Sequence, residues 1–198
     1  MRRQILAAAF LILISGSAAF AQNVEQQATK IRRIYAETTK RIEDGAKDNT
    51  LGLHYAAWTI GGERDGQQWR AVGAMKTIDE FWFDGEPGFD EGQVADARKA
   101  IRRIVSTYSS ANTTQTRVEY LFDQTGELVF VYSIEYAAAE DGNNIERRFY
   151  FSRNKLIRVA ANGKNTDAKF AVEDTEKAKS QIETARKLRN RFALMFAE

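Results

Sequence analysis

Two amphipathic stretches at the ends of the chain, with β-patterned segments contiguous between them, predict an α+β fold. The expected architecture is a meandering antiparallel sheet of about six or seven strands, packed on one face against an N-terminal and a C-terminal amphipathic helix. Apolar residues recur every three or four positions from Val24 to Lys47 and again from Thr175 to Ala197, which is the period of a one-sided helix. Between them lie runs rich in aromatic and β-branched residues, punctuated by glycine and asparagine, the pattern of consecutive hairpins. Helices confined to the two ends disfavour a parallel βαβ arrangement.

The first 21 residues read separately. Arg2 and Arg3 precede an apolar run from Ile5 to Ile14, and a small-residue stretch ends in Ala19-Phe20-Ala21. That tripartite pattern describes a secretory signal peptide cleaved before Gln22. Its apolar run is about half the ~20 residues that a membrane-crossing helix needs, so no transmembrane segment is expected. Residues 22–198 then form a single α+β domain, periplasmic or secreted.

In the first helix the stripe is Val24, Ala28, Ile31, Ile34, Tyr35, Thr38 and Ile42, with Gly45 and Asp48-Asn49 as a stop. Leu51–Ile60 and Gln67–Phe83 read as the arms of a hairpin across Gly61–Gly66, with Gly73 as the place for a bulge. A loop from Asp84 to Gly92 holds the one proline, Pro87. Residues 93–108 fit either period: Val94, Ala97, Ile101, Ile104/Val105 and Tyr108 sit at helical spacing, yet the segment is rich in β-branched residues. A short helix leading into a strand reconciles the two. Tyr120–Val131 reads as a hairpin about a type I turn at Asp123–Gly126, and Phe149–Val159 repeats the layout about Asn154. The last helix, Thr175–Ala197, is expected to be capped by Asp174 and to bury Ala178, Ile182, Ala185, Leu188, Phe192, Met195 and Phe196.

Composition narrows the chemistry. The 198 residues include no cysteine and one histidine, which excludes thiol nucleophiles, disulfide scaffolds, iron–sulfur clusters and Cys/His zinc sites. Phosphate loops, dinucleotide fingerprints and the Gly-x-Ser-x-Gly elbow are missing, so no cofactor is expected. The 29 Lys+Arg and 27 Asp+Glu become 27 of each once Arg2 and Arg3 are set aside. A neutral exported domain is not a nucleic-acid binder.

Several residues remain as candidates. Tyr55, Trp58, Trp69 and Trp82 cluster around the first hairpin and offer an aromatic platform for a sugar or an apolar ligand, or simply a core. Asp84, Glu86 and Asp90 belong to an acidic stretch from Thr77 to Ala97 in which no lysine or arginine precedes Arg98. Oxygen ligands of that kind suit calcium, although the spacing is not that of an EF-hand. His54 shares strand parity with Trp58 and Ile60, which suggests half-buried packing. Lys30, Arg32, Arg33, Lys40 and Arg41, with a second set on the last helix, give a solvent-facing basic surface. The expectation is an exported, non-enzymatic module that binds a small ligand or an envelope protein. The alternatives are a cofactor-free hydrolase of envelope glycan with paired carboxylates and a calcium-stabilised structural protein.

Overall fold

In a computed structural model of the chain, residues 2–48, 52–61, 75–85, 94–110, 113–137 and 142–195 are described, with side chains at all of these except 2–21, 94–96 and 113–114. The element order is α1 (Arg2–Lys47), β1 (His54–Gly61), β2 (Met75–Phe83), α2 (Val94–Ala100), β3 (Ile101–Ser110), β4 (Thr113–Phe122), β5 (Leu128–Glu135), β6 (Ile145–Ser152), β7 (Lys155–Ala161), β8 (Lys164–Thr166) and α3 (Val172–Leu194). The eight strands form one open sheet in sequential order, and every neighbouring pair is antiparallel. The expected α+β meander is present, with eight strands instead of six or seven.

The additional strand is β8. Asn162 and Gly163 both take positive φ, 49° and 77°, the requirement of a two-residue hairpin turn whose twist matches the strands it joins. Arg153 and Asn154 do the same between β6 and β7, at 49° and 57°. Between β4 and β5, Asp123 Oδ1 accepts bonds from the Thr125 and Glu127 amides, 2.9 and 3.0 Å, and Gly126 closes the turn at φ 81°. Residues 94–110 resolve as a short helix running directly into a strand.

The two terminal helices lie on opposite faces of the sheet, not on one. Adjacent strand residues point to opposite sides, and the apolar clusters divide on that parity. Tyr120, Phe122, Val131, Phe149, Phe151 and Val159 pack with Ala178, Ala185, Leu188 and Phe192 of α3 and with Ala97 of α2. Their neighbours Leu121, Phe130 and Tyr150 point the other way and pack with Ala28 and Ile31 of α1. The physical reason is that β4, β5 and β6 each bring an unbroken apolar run to the middle of the sheet, so both faces need cover.

At its start, α3 departs from the expected cap. Its N-cap is Ala171 and makes no side-chain bond, while Glu173 and Asp174 lie within the first turn, where acids interact favourably with the helix dipole. Its predicted stripe otherwise holds: Ala178, Ala185, Leu188 and Phe192 are buried and Met195 packs against the same cluster, with Phe196 outside the described residues.

Candidate functional site

On its own face α1 crosses the strands obliquely, tied down by polar contacts at successive points. Near β7, Arg158 is buried and forms a two-pronged pair with Asp167 (Nε–Oδ1 2.5 Å, Nη2–Oδ2 2.7 Å) while reaching Glu25 of α1 at 2.7 Å. Both Arg158 and Arg32 hold the Glu25 carboxyl below its ordinary range. In mid-sheet the buried Glu119 of β4 pairs with Arg103 and Arg117 and accepts the Tyr35 hydroxyl at 3.1 Å. The Arg103 guanidinium lies over the Tyr35 ring at 5.1 Å and over the Trp82 ring at 6.0 Å. Beyond β2, Arg41 pairs with Asp84 and donates to the Gly52 carbonyl.

Between the first two of these anchor points lies a half-open groove of about 400 Å³, lined by Ile31, Arg32, Tyr35, Phe130, Tyr132, Arg148 and Tyr150. Strand alternation explains the lining. Phe130 and Tyr132 are two apart on β5, Arg148 and Tyr150 two apart on β6, and the register sets Phe130 opposite Tyr150 and Tyr132 opposite Arg148. Phe130 packs edge-on against Tyr150 (centroids 5.0 Å) and against Tyr35 (5.8 Å), which fixes the groove floor. The rim is polar. Arg148 lies over the Tyr132 ring at 5.5 Å and reaches Glu146 at 3.3 Å, and Arg32 pairs with Glu25 at 3.0 Å. Burial, and then the nearby Glu146, pushes the Tyr132 hydroxyl above its ordinary range, and burial does the same for Tyr35. Both phenols therefore stay protonated at neutral pH and can donate hydrogen bonds.

The aromatic platform expected at the first hairpin is divided by the sheet. Tyr55 and Trp82 pack with tilted rings on the α1 face (5.4 Å), with the Tyr55 hydroxyl donating to Glu80 at 3.1 Å. Trp58 lies on the α3 face under the Arg191 guanidinium, 5.8 Å from its ring. Trp69 lies outside the described residues, as do Glu86 and Asp90. Asp84 pairs with Arg41 and with Arg102 (2.5 Å), a structural tie between α1 and β3. Among the described residues no group of three or more acids or histidines is arranged to hold a metal. Asp79 is fully buried against Ser106 (2.6 Å) and Arg191, whereas Glu80 points to the opposite face, so these two carboxylates do not converge. His54 is exposed instead of half-buried and touches the Phe83 ring at 5.7 Å.

Of the groove residues, the sequence singled out Arg32 only as part of a basic surface and Ile31 and Tyr35 only as helix stripe, and it did not single out Phe130, Tyr132, Arg148 and Tyr150 as ligand candidates. Their signal is the pair of aromatic-x-aromatic and Arg-x-Tyr alternations on β5 and β6, which acquires meaning only once α1 is known to lie over them. The basic stripe of α1 is likewise largely neutralised, since Arg32, Arg33, Lys40 and Arg41 pair with Glu25, Glu37, Asp44 and Asp84. No helix among the described residues is long and apolar enough to cross a membrane. No family model matches the chain, and comparison with curated proteins and with solved structures finds no significant match.

Proposed function

We propose that the chain is an exported, non-enzymatic binding module that holds a small ligand in the groove between α1 and strands β5 and β6. The observation that carries this reading is the groove itself. Its volume of about 400 Å³ falls within the roughly 300–1,000 Å³ of small-molecule sites, and an apolar floor with a few oriented polar groups is their usual make-up. The floor of Phe130, Tyr150 and Tyr35 suits a flat or apolar ligand surface, and the guanidiniums of Arg32 and Arg148 suit acceptor atoms at the ligand's edge. Glu25 and Glu146 at the same rim allow the ligand donors as well. The preferred ligand is a compact molecule with one apolar face and a polar perimeter, such as a ring compound or a sugar.

An aromatic sulfonate dye, anilinonaphthalene sulfonate, tests the groove because it joins flat rings to an anionic edge. Titration should show one saturable site, weakened at least tenfold by Tyr132→Ala with Arg148→Ala, while Lys155→Ala leaves it unchanged. Circular dichroism of each variant separates loss of the site from loss of the fold. Dye binding unaffected by the groove substitutions would overturn the assignment.

A further inference from the structure

We propose that the free edge of β1 is the interface of a two-fold dimer, in which β1 pairs antiparallel with β1 of a second copy to make one continuous sheet. Among the described residues β1 is hydrogen-bonded to β2 alone, and its register with β2 runs unbroken from His54 to Gly61. An open edge of that length presents a row of unpaired backbone donors and acceptors, and monomeric proteins usually blunt such edges with charges, proline, bulges or shortness. The opposite edge of this sheet is blunted: β8 has three residues and begins with Lys164. β1 has eight residues, no proline and no bulge, and it is the one strand of the eight with no lysine, arginine, aspartate or glutamate.

The missing charge is informative about the partner. In a strand paired with its own copy, any charged side chain near the axis meets a like charge at close range, which is unfavourable; a strand without charges avoids that penalty. Side-chain sizes agree. A two-fold axis through Ala57 preserves the two faces of the sheet, sets Ala57 against its own copy, Trp58 against Ala56, Tyr55 against Thr59 and Ile60 against His54. Small residues then meet large ones along the seam. Exposed apolar surface collects there too. Of the six large hydrophobic side chains exposed by 40% or more among the described residues, Tyr55 (56%), Ile60 (44%) and Met75 (45%) lie on β1 or the adjoining end of β2. The groove over β5 and β6 is at a distance from this edge, so the dimer leaves it open.

Because the chain contains no cysteine, single introduced cysteines report the register directly. Ala57→Cys should form a disulfide-linked dimer on mild oxidation. Ile60→Cys should not, since its copy lies six strand residues away, about 20 Å at ~3.4 Å per residue. Light scattering on the unmodified protein should give twice the mass of one chain, and Ala57→Lys should halve it without changing the circular dichroism spectrum. A monomer at tens of micromolar, a dimer that persists in Ala57→Lys, or linkage at residue 60 as efficient as at 57 would each overturn the proposal. If Ala57→Lys fails to fold, the cysteine pair decides the question alone.

Discussion

Replacing Glu119 by glutamine tests how α1 is held over the sheet. The carboxylate is 5% exposed and meets two guanidiniums of unequal freedom. Arg117 is 36% exposed and can turn towards water, but Arg103 is 11% exposed and confined between the Tyr35 and Trp82 rings. Removing one partner of a buried ion pair costs about 3–5 kcal/mol when the remaining charge is trapped. Glutamine keeps one acceptor, and a hydrogen bond to a charged group exceeds a neutral one by about 1 kcal/mol, so the lower end applies. A loss of about 3 kcal/mol is the expected outcome. For a domain of this size that corresponds to a fall in Tm of about 6–12 °C. Urea unfolding followed by far-UV circular dichroism measures the loss, and tryptophan fluorescence reports Trp82 beneath Arg103. The double variant Glu119→Leu with Arg103→Met should recover most of it, because an apolar pair removes the stranded charge. A loss below about 1 kcal/mol for the single variant, or a double variant no better than the single, would refute the reasoning.

Two further outcomes follow from local geometry. Gly52 takes φ 81°, and a Cβ there would lie 2.1 Å from the Arg41 carbonyl oxygen and 2.5 Å from the Gly45 nitrogen, whereas at Gly85 (φ 65°) nothing lies within 4 Å. Gly52→Ala should therefore cost about 2 kcal/mol or more beyond Gly85→Ala in urea midpoint analysis, and equal costs would show that the α1–β1 junction is not tightly packed. Burial raises the ionisation of Tyr35, Tyr120 and Tyr132 above the ordinary phenol value. The native state then holds protons that the unfolded chain has lost, so stability is full below pH about 10 and declines as pH rises beyond it. Ultraviolet absorbance should show these phenols titrating later than in the denatured chain, and coincident curves would contradict the burial.

The ends of the molecule were legible because each helix repeats one apolar stripe with little interruption. Ala28, Ile31 and Thr38 are buried in α1 as their spacing requires, and so are Ala178, Ala185, Leu188 and Phe192 in α3. The hairpin turns at Asp123–Gly126 and at Asn154 were legible because only a few residue types readily accept positive φ. The same logic applied to Asn162-Gly163 points to β8. Which face each helix covers was less accessible, although a sign of it was present. Tyr120-Leu121-Phe122, Leu128–Val131 and Phe149-Tyr150-Phe151 do not alternate with polar residues, and a strand with apolar residues on both sides needs cover on both. The groove was illegible for a different reason. Ile31 and Tyr35 come from α1, while Phe130, Tyr132 and Tyr150 come from the consecutive strands β5 and β6 far along the chain, and only tertiary placement brings the helix to them. The burial of Glu119 and Arg158 was illegible for the same reason, because nothing local marks a strand charge that a distant helix will cover.

On the proposed reading, the start of α1 connects export with the groove. Among the described side chains, the buried stripe of α1 from Val24 to Thr38 lies wholly beyond the proposed cleavage point. With cleavage before Gln22, as proposed, Glu25 would fall in the first turn of the helix, where a negative charge is favoured by the backbone dipole. Its carboxyl is already held below the ordinary range by Arg158 and Arg32, so it remains ionised through neutral and mildly acidic pH. Because its folded value is depressed, the tie to Arg158 persists above the ordinary glutamate range and weakens only as pH falls through and below it. Glu25 would thus anchor the new helix end to β7 and, through Arg32, set one side of the groove rim. On that proposal, processing and site formation would converge on this carboxylate, giving the first turn of the shortened helix a part in binding.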